Sequence, residues 1–386
     1  MFSVGERSMN GLRFWEQMSS ENGKSGFVFS VMSYNVLAQD LIDQHLHLFC
    51  ASRKYKGLIY VNIFQVLKIW CVYLVCNSLT ISGYRGLYKQ RTGIRTDGCA
   101  IYYKLNLVTL IEYTTVEYNQ PNVRILDRDN VAIIAKFAPR KHPSKEFVVA
   151  TTHLLYNPKR QDVRLAQTQL LLTELERIAF THGGQYLPVI ITGDWNSTPD
   201  SVIYQFITKG KLKYENLASR SLQNNTAGPK TGKHFLPTSL RITDQCQHAD
   251  LIPKRQSKAI SRSEELKLIE LRHSERRYEE TKNRNGDRND ANLFSSGTLT
   301  HKFFLKSVYD HVVDGDFEGT TYQDEWISVV VRIVCVFLEK KANLGKLTLL
   351  ERFRLPTRKE LGAIKIPNKD LGSDHLSLFA KFKLDI

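Results

Sequence analysis

The stretch that decides the fold runs from residue 146 to residue 197, EFVVATTHLLYNPKRQDVRLAQTQLLLTELERIAFTHGGQYLPVIITGDWNS. It opens on a run rich in β-branched and aromatic residues, Glu146 to Tyr156, and closes on a second apolar run, Tyr186 to Ser197. Both have the length of a core strand, and both break at polar residues. Between them, after Pro158, the segment Arg160 to Ile178 places Val163, Leu165, Leu170, Leu171, Leu172, Leu175 and Ile178 at helical spacing. That spacing predicts a helix with one apolar face, laid on a sheet.

The same pattern of an apolar strand meeting polar residues recurs on either side. It is seen at Phe27 to Gln39, Asp97 to Lys104, Asn130 to Phe137 and, last, His375 to Leu384. Strands alternating with such a helix predict an α/β sandwich whose loops gather polar residues at one end. A chain of 386 residues can bury about three quarters of its extended surface, so a large core forms without disulfides or metals as staples. Composition excludes a chain disordered throughout, a collagen-like fibre and a disulfide mini-scaffold, and no period of 20 to 50 residues repeats. The expected organisation is an N-terminal extension over 1–26, the first part of one domain over 27–220, a polar insertion over 221–298, and a return to the same domain over 299–386. The insertion, rich in Asn, Ser, Lys, Arg and Glu, reads as a partly disordered surface excursion. Within it Ser261 and Glu264 have the spacing of a capping box for a charged helix running to about Glu280.

Lys and Arg number 54 against 39 Asp and Glu, a net charge of +15. An excess of this size favours an anionic partner, nucleic acid above all, although composition alone does not separate RNA or DNA from other polyanions. The six cysteines, Cys50, Cys71, Cys76, Cys99, Cys246 and Cys335, form no CxxC pair. They read as reduced thiols, and the N-terminus MFSVGERSMNGLRFWEQ has no apolar signal core. A cytoplasmic or nuclear location follows as the expectation. The run Ile59 to Cys76 approaches the length of a membrane span, but Asn62, Gln65 and Lys68 interrupt it. A central Lys alone costs roughly 2.5–3.5 kcal/mol on insertion scales, so no membrane contact is expected.

Four polar clusters sit at strand ends: SYN at Ser33 to Asn35, TTHL at Thr151 to Leu154, GDWNSTPDS at Gly193 to Ser201, and GSDH at Gly372 to His375. Asp194 and Asn196 are two apart, the period of the strand pleat, and can point to one side. A carboxylate there can align a water while a neutral amide holds a phosphate oxygen. In SDH, Asp374 offers a hard oxygen to Mg²⁺ and His375 a donor to developing negative charge. Each cluster alone is an ordinary turn. Four in this order form a coherent set.

With these residues in hand, the chain resembles the endonuclease/exonuclease/phosphatase superfamily, in the deadenylase-like branch that includes nocturnin and the Angel proteins. VMSYNVLAQDLI, YKQRTGIRTDGCAIYYK, ILDRDNVAII, THLLYNPKRQDVRLAQ, GDWNSTPDSVIYQFI and GSDHLSLFAKFKL carry the similarity in order. The resemblance implies a four-layer α/β sandwich of two packed mixed sheets flanked by helices, with a Mg²⁺-dependent phosphohydrolase site at one edge. It implies Asn35 and Asp374 on the metal side, Asp194 orienting the attacking water, and Asn196 binding the scissile phosphate. His375 would stabilise the pentacoordinate phosphorus, His153 would contact the phosphate, and Asn130 would add a polar contact in the groove. The implied activity is hydrolysis of phosphate esters at RNA 3′ ends, either removal of nucleotides, poly(A) especially, or opening of a terminal 2′,3′-cyclic phosphate.

Two segments depart from the family. Its metal-binding Glu has no counterpart, since no glutamate occurs between Glu21 and Glu112. The family strand whose Asp orients the SDH histidine is replaced by ISVVVRIVCVFLEKK, and no aspartate lies between Asp324 and Asp370. Both replacements are apolar and abrupt, and both are flanked by family-like sequence, as an exchanged exon would leave them. The alternative they raise is a catalytically weakened, RNA-binding member of the family.

Overall fold

The computed structural model describes residues 11–19, 25–36, 83–181, 183–224, 227–256, 261, 263–270, 291–323, 326–328, 333–336, 345–362, 364, 366 and 373–386. The apolar run at 59–76 and the place of the missing glutamate lie outside them. Among the described residues no helix is long and apolar enough to cross a membrane.

Two sheets pack face to face. The smaller has the order β1 (Trp15–Gln17), β17 (Leu347–Phe353), β18 (Leu378–Asp385), β2 (Gly26–Ser33). The larger has the order β11 (Leu305–Ser307), β16 (Ile333–Val336), β8 (Val189–Asp194), β7 (Phe147–His153), β6 (Val131–Pro139), β5 (Val108–Glu117). A hairpin of β3 (Tyr84–Gln90) and β4 (Gly98–Lys104) closes one side. Short pairs complete the chain: β9 (Lys211–Lys213) with β10 (Thr298–Thr300), β12 (Val312–Val313) with β13 (Asp316–Phe317), and β14 (Thr321–Gln323) with β15 (Trp326–Ser328).

The decisive stretch forms the unit its pattern predicts. β7 and β8 are joined by helix α1 (Gln161–Ala179) and run parallel, in register from Val148 opposite Val189 to His153 opposite Asp194. A parallel pair needs a crossover of this kind. Two polar side chains are thus delivered at adjacent strand ends. At the turn, Gly193 has φ +120°, and a Cβ there would lie 1.9 Å from the Thr152 carbonyl oxygen, so the close passage of β8 over β7 requires glycine. The larger sheet is mixed, as expected. The smaller is antiparallel throughout its described ladders.

One core lies between the sheets, around Ile133, Phe137, Phe147, Ile190, Leu378, Ala380 and Phe382. The other lies between the larger sheet and the helices, around Leu165, Leu172, Leu175, Trp195, Phe206 and Phe303. Two sheets and a helical cover on the larger one are therefore in place.

α1 differs from its expected single apolar face, being buried along nearly its whole length, polar residues included. The cause is the segment read from sequence as a surface excursion. Leu236, Leu240, Ile242 and Cys246 join the same core as α1, and Gln169 Nε2 donates to the Thr243 carbonyl at 3.1 Å. The reading of 221–298 as peripheral is corrected for this part, from which His248 and Arg255 reach the α1 carboxylates Glu174 and Glu176. Glu174 meets Arg177 and His248, each at 2.8 Å. Burial pushes the Glu174 carboxyl up, but the Arg177 guanidinium and the His248 ring outweigh it and hold the group well below the ordinary range. The expected capping box is present, with Ser261 N–H donating to Glu264 Oε2 at 2.7 Å and Glu264 N–H to Ser261 Oγ at 3.4 Å, and residues 263–270 are helical.

Candidate active site

The polar clusters meet at the carboxylate of Asp194, which is buried at the end of β8. Asn35, just past β2, donates from Nδ2 to Asp194 Oδ2 at 2.9 Å. His153 Nε2, at the end of β7, lies 3.8 Å from the same oxygen, and His375 Nε2 lies 3.7 Å from it. The other oxygen, Oδ1, accepts the Asn196 backbone N–H at 3.0 Å. A buried carboxylate needs such partners. Four chain segments therefore converge on one acid, with two imidazoles flanking it.

The SDH turn closes the opposite side. Asp374 Oδ1 is 3.4 Å from His375 Nε2. Ser373 Oγ donates to the Asn35 carbonyl at 2.6 Å and accepts the His375 N–H at 3.2 Å, which locks the Asn35 loop to the histidine. Thr321, on β14, donates to the Asp374 carbonyl at 2.7 Å. Ser373 and Thr321 escape a reading of the sequence because their partners lie hundreds or tens of residues away.

Asn35, His153, Asp194, Asp374 and His375 thus share one centre, and Asn196 borders it. Asn196 takes a left-handed backbone, φ +47°, which Asn tolerates better than most residues, and its Nδ2 donates to the Leu154 carbonyl at 2.9 Å. Asn130 is placed differently from expectation. It is buried, its Nδ2 donates to the His153 carbonyl at 2.9 Å, and its Oδ1 accepts from Gln167 Nε2 at 3.2 Å. Both ends of the amide are engaged within the protein, so its expected role as a groove contact is corrected to a brace behind His153.

The donor set limits the chemistry. Cys99, on β4, lies against the main chain of His153, and burial pushes its thiol up to about 12, so it supplies no thiolate nucleophile. Among the described residues no group of three or more His, Cys, Asp or Glu is arranged to hold a metal ion. Magnesium commonly binds through one or two carboxylates, with waters and substrate phosphates filling the remaining positions. Asp374 offers one such carboxylate, on a turn that Ser373 Oγ ties to the Asn35 carbonyl, and the described residues form no cage around it. Within the apolar stretch ISVVVRIVCVFLEKK the structure forms a strand, β16, whose Ile333 pairs with Thr192 of β8.

The endonuclease/exonuclease/phosphatase family pattern matches residues 36–320. Protein angel homolog 2 of Bos taurus is 32% identical over 95% of this chain and 71% of its own length, and the Homo sapiens protein is 31% identical over the same shares. Among solved structures, ANGEL2, described as a 2′,3′-cyclic phosphatase, superposes with a TM-score of 0.76 at 30% identity, covering 97% of this chain and 98% of that one. ANGEL2 in complex with adenosine-2′,3′-vanadate gives 0.75 at 30% identity, covering 97% and 99%. The human Nocturnin catalytic domain, at 16% identity and a TM-score of 0.51 over 98% and 99%, shares the fold. The sandwich, the order of its motifs and their meeting at Asp194 lead to one assignment: the chain belongs to the endonuclease/exonuclease/phosphatase family.

Proposed function

We propose that this chain is a hydrolase of phosphate esters at RNA 3′ ends, and that its substrate is a terminal 2′,3′-cyclic phosphate. The observation that carries the reading is the convergence of Asn35, His153 and His375 on one buried carboxylate, Asp194. The similarity to ANGEL2 over almost the whole chain supports the cyclic phosphate over poly(A). The net charge of +15 suits an RNA partner, met in the cytoplasm or nucleus.

In the reaction, water attacks the cyclic phosphorus, one P–O ester bond breaks, and a terminal phosphomonoester and a free hydroxyl remain. Asp194 orients the water and accepts its proton, and the backbone N–H of Asn196 together with the Asn35 amide holds the carboxylate in the required direction. His153 and His375 direct their Nε2 atoms to the same place, where N–H donors stabilise charge growing on the phosphoryl oxygens. Mg²⁺, held by Asp374 and Asn35, would neutralise phosphate charge when bound. Neither the phosphorus nor the water needs a covalent intermediate on the protein.

The test is incubation of this chain with an RNA ending in 2′,3′-cyclic phosphate, at graded Mg²⁺, with products resolved by length and terminal group. Opening of the ring without shortening supports the proposal, and shortening would replace it with exonuclease action. A second reading, an RNA-binding member with weakened catalysis, is favoured by the lack of a glutamate between Glu21 and Glu112. Binding without turnover at every Mg²⁺ concentration would establish it.

A further inference from the structure

Helix α1 begins eight residues after His153, and among the buried polar side chains of its first two turns are Arg164 and Gln167. They are three apart and so share a face of the helix. That face looks onto the ends of β7 and β8.

Gln167 is fully committed. Its Oε1 accepts the Leu155 N–H at 2.9 Å and its Nε2 donates to Asn130 Oδ1 at 3.2 Å, while Asn130 Nδ2 donates to the His153 carbonyl at 2.9 Å. The main chain is gripped at residue 153 and again at residue 155, on either side of a peptide whose own N–H donates to the Asp194 carbonyl at 2.8 Å. Arg164 holds the neighbouring segment. One terminal nitrogen donates to the Asn196 carbonyl and the other to the Pro158 carbonyl at 3.3 Å. Its Nε is buried with no hydrogen-bond partner among the described residues. A buried guanidinium that bonds two carbonyls is an expensive way to fill space. What it secures is geometric: the left-handed Asn196 whose N–H fixes Asp194 Oδ1.

We propose that Arg164 and Gln167 are positioning residues for the reaction, setting the His153 and Asn196 segments in register with Asp194 from a single helix face. The inference rests on the phosphohydrolase reading above. Both side chains are buried and bonded to the protein. Their action is on direction and distance, where an error of about 1 Å costs as much as 100-fold in rate.

The experiment compares the full chain with Gln167→Met, which fills the same space without hydrogen bonds, and with Gln167→Glu, which keeps the acceptor for Leu155 and loses the donor to Asn130. Arg164→Lys, which keeps charge and loses the fork, is the third variant. Folding is checked by thermal melting. Supporting results are a kcat lower by about 10–100-fold with KM within about 3-fold, the scale known for groups that orient reacting residues, and a crystal structure of Gln167→Met with His153 displaced from Asp194. Full kcat in melting-competent Gln167→Met and Gln167→Glu, or unmoved His153, overturns the proposal. If Gln167→Met does not fold, Gln167→Glu decides by the same criteria.

A vanadate readout separates the two claims. The probe is adenosine with vanadate, a mimic of the pentacoordinate state, set against an RNA with a plain 3′-hydroxyl. Weaker vanadate binding by about 10-fold in Gln167→Met, with RNA affinity unchanged, supports positioning. Wild-type binding with no loss in the variant refutes positioning and leaves the function standing. Failure of the wild type to bind vanadate or open the ring overturns both.

Discussion

Replacing Arg255 with methionine removes the cation that ties its own helical turn and the helix carrying Glu265 to α1. Its NH1 donates to Glu176 Oε1 and Oε2 at 2.9 and 2.8 Å, its Nε donates to Glu265 Oε1 at 2.8 Å, and its guanidinium lies 4.2 Å from the centre of the Phe180 ring. The Arg255 side chain is 10% exposed, and those of Glu176 and Glu265 are 2% and 3% exposed. Methionine keeps much of the apolar stem, so the loss falls on the two carboxylates. Removing one partner of a buried pair costs about 3–5 kcal/mol, because a charge is left buried without compensation. Glu176 retains the Tyr186 hydroxyl at 2.9 Å and Gln247 Nε2 at 3.0 Å, which places the expected cost at the lower end, about 3 kcal/mol. Urea unfolding measures it as a lowered midpoint with an unchanged slope. Adding Glu176→Gln to the variant should recover part of the loss, since the amide carries no charge. A loss below about 1 kcal/mol, or no recovery in the double variant, would refute the claim that this segment is anchored through buried charge.

Acid should weaken the fold through two buried histidines. Burial holds both His301 and His311 at about 4. His301 donates from Nε2 to the Phe206 carbonyl at 3.0 Å and accepts the Phe303 N–H on Nδ1 at 3.2 Å, so a second ring proton would face an N–H. The unfolded chain takes up these protons first, so stability is complete above about pH 6.5 and falls toward pH 4 by ~1.4 kcal/mol per pH unit for each histidine. Melting temperatures across that range check it, and His301→Phe should flatten the slope. Glu174, held low by Arg177 and His248, adds a further loss only below the ordinary carboxylate range. At the site, Asp194→Ala should lower turnover at least about 10³-fold with RNA affinity within a few-fold, and surviving activity would show that another group handles the water. RNA affinity should fall with salt, log K against log[salt] having a slope of about −0.7 per phosphate contacted, and a flat dependence would remove the electrostatic argument from net charge. Gly193→Ala, whose new Cβ would lie 1.9 Å from the Thr152 oxygen, should yield insoluble or unfolded protein on expression.

The sequence by itself determined the elements and their chemistry. Alternation of apolar runs with polar breaks located β2, β4, β6, β7 and β8, and helical spacing after Pro158 located α1, because these signals are local and are set by backbone periodicity. Asp194, His153 and His375 were legible as a set because each ends or precedes a strand and a sheet brings such ends to one edge. Only the tertiary structure decided which polar groups face a substrate and which face the protein. Asn130 and Gln167 are indistinguishable in sequence from solvent-facing amides, yet both are spent on internal hydrogen bonds to the His153 segment. The 236–255 segment looked peripheral because its composition is largely polar, yet Leu236, Leu240, Ile242 and Cys246 close the core over α1, and Glu174 meets His248 and Glu176 meets Arg255 there. The reason is physical: burying a polar group depends on a partner, and a partner 74 residues away leaves no mark on local composition.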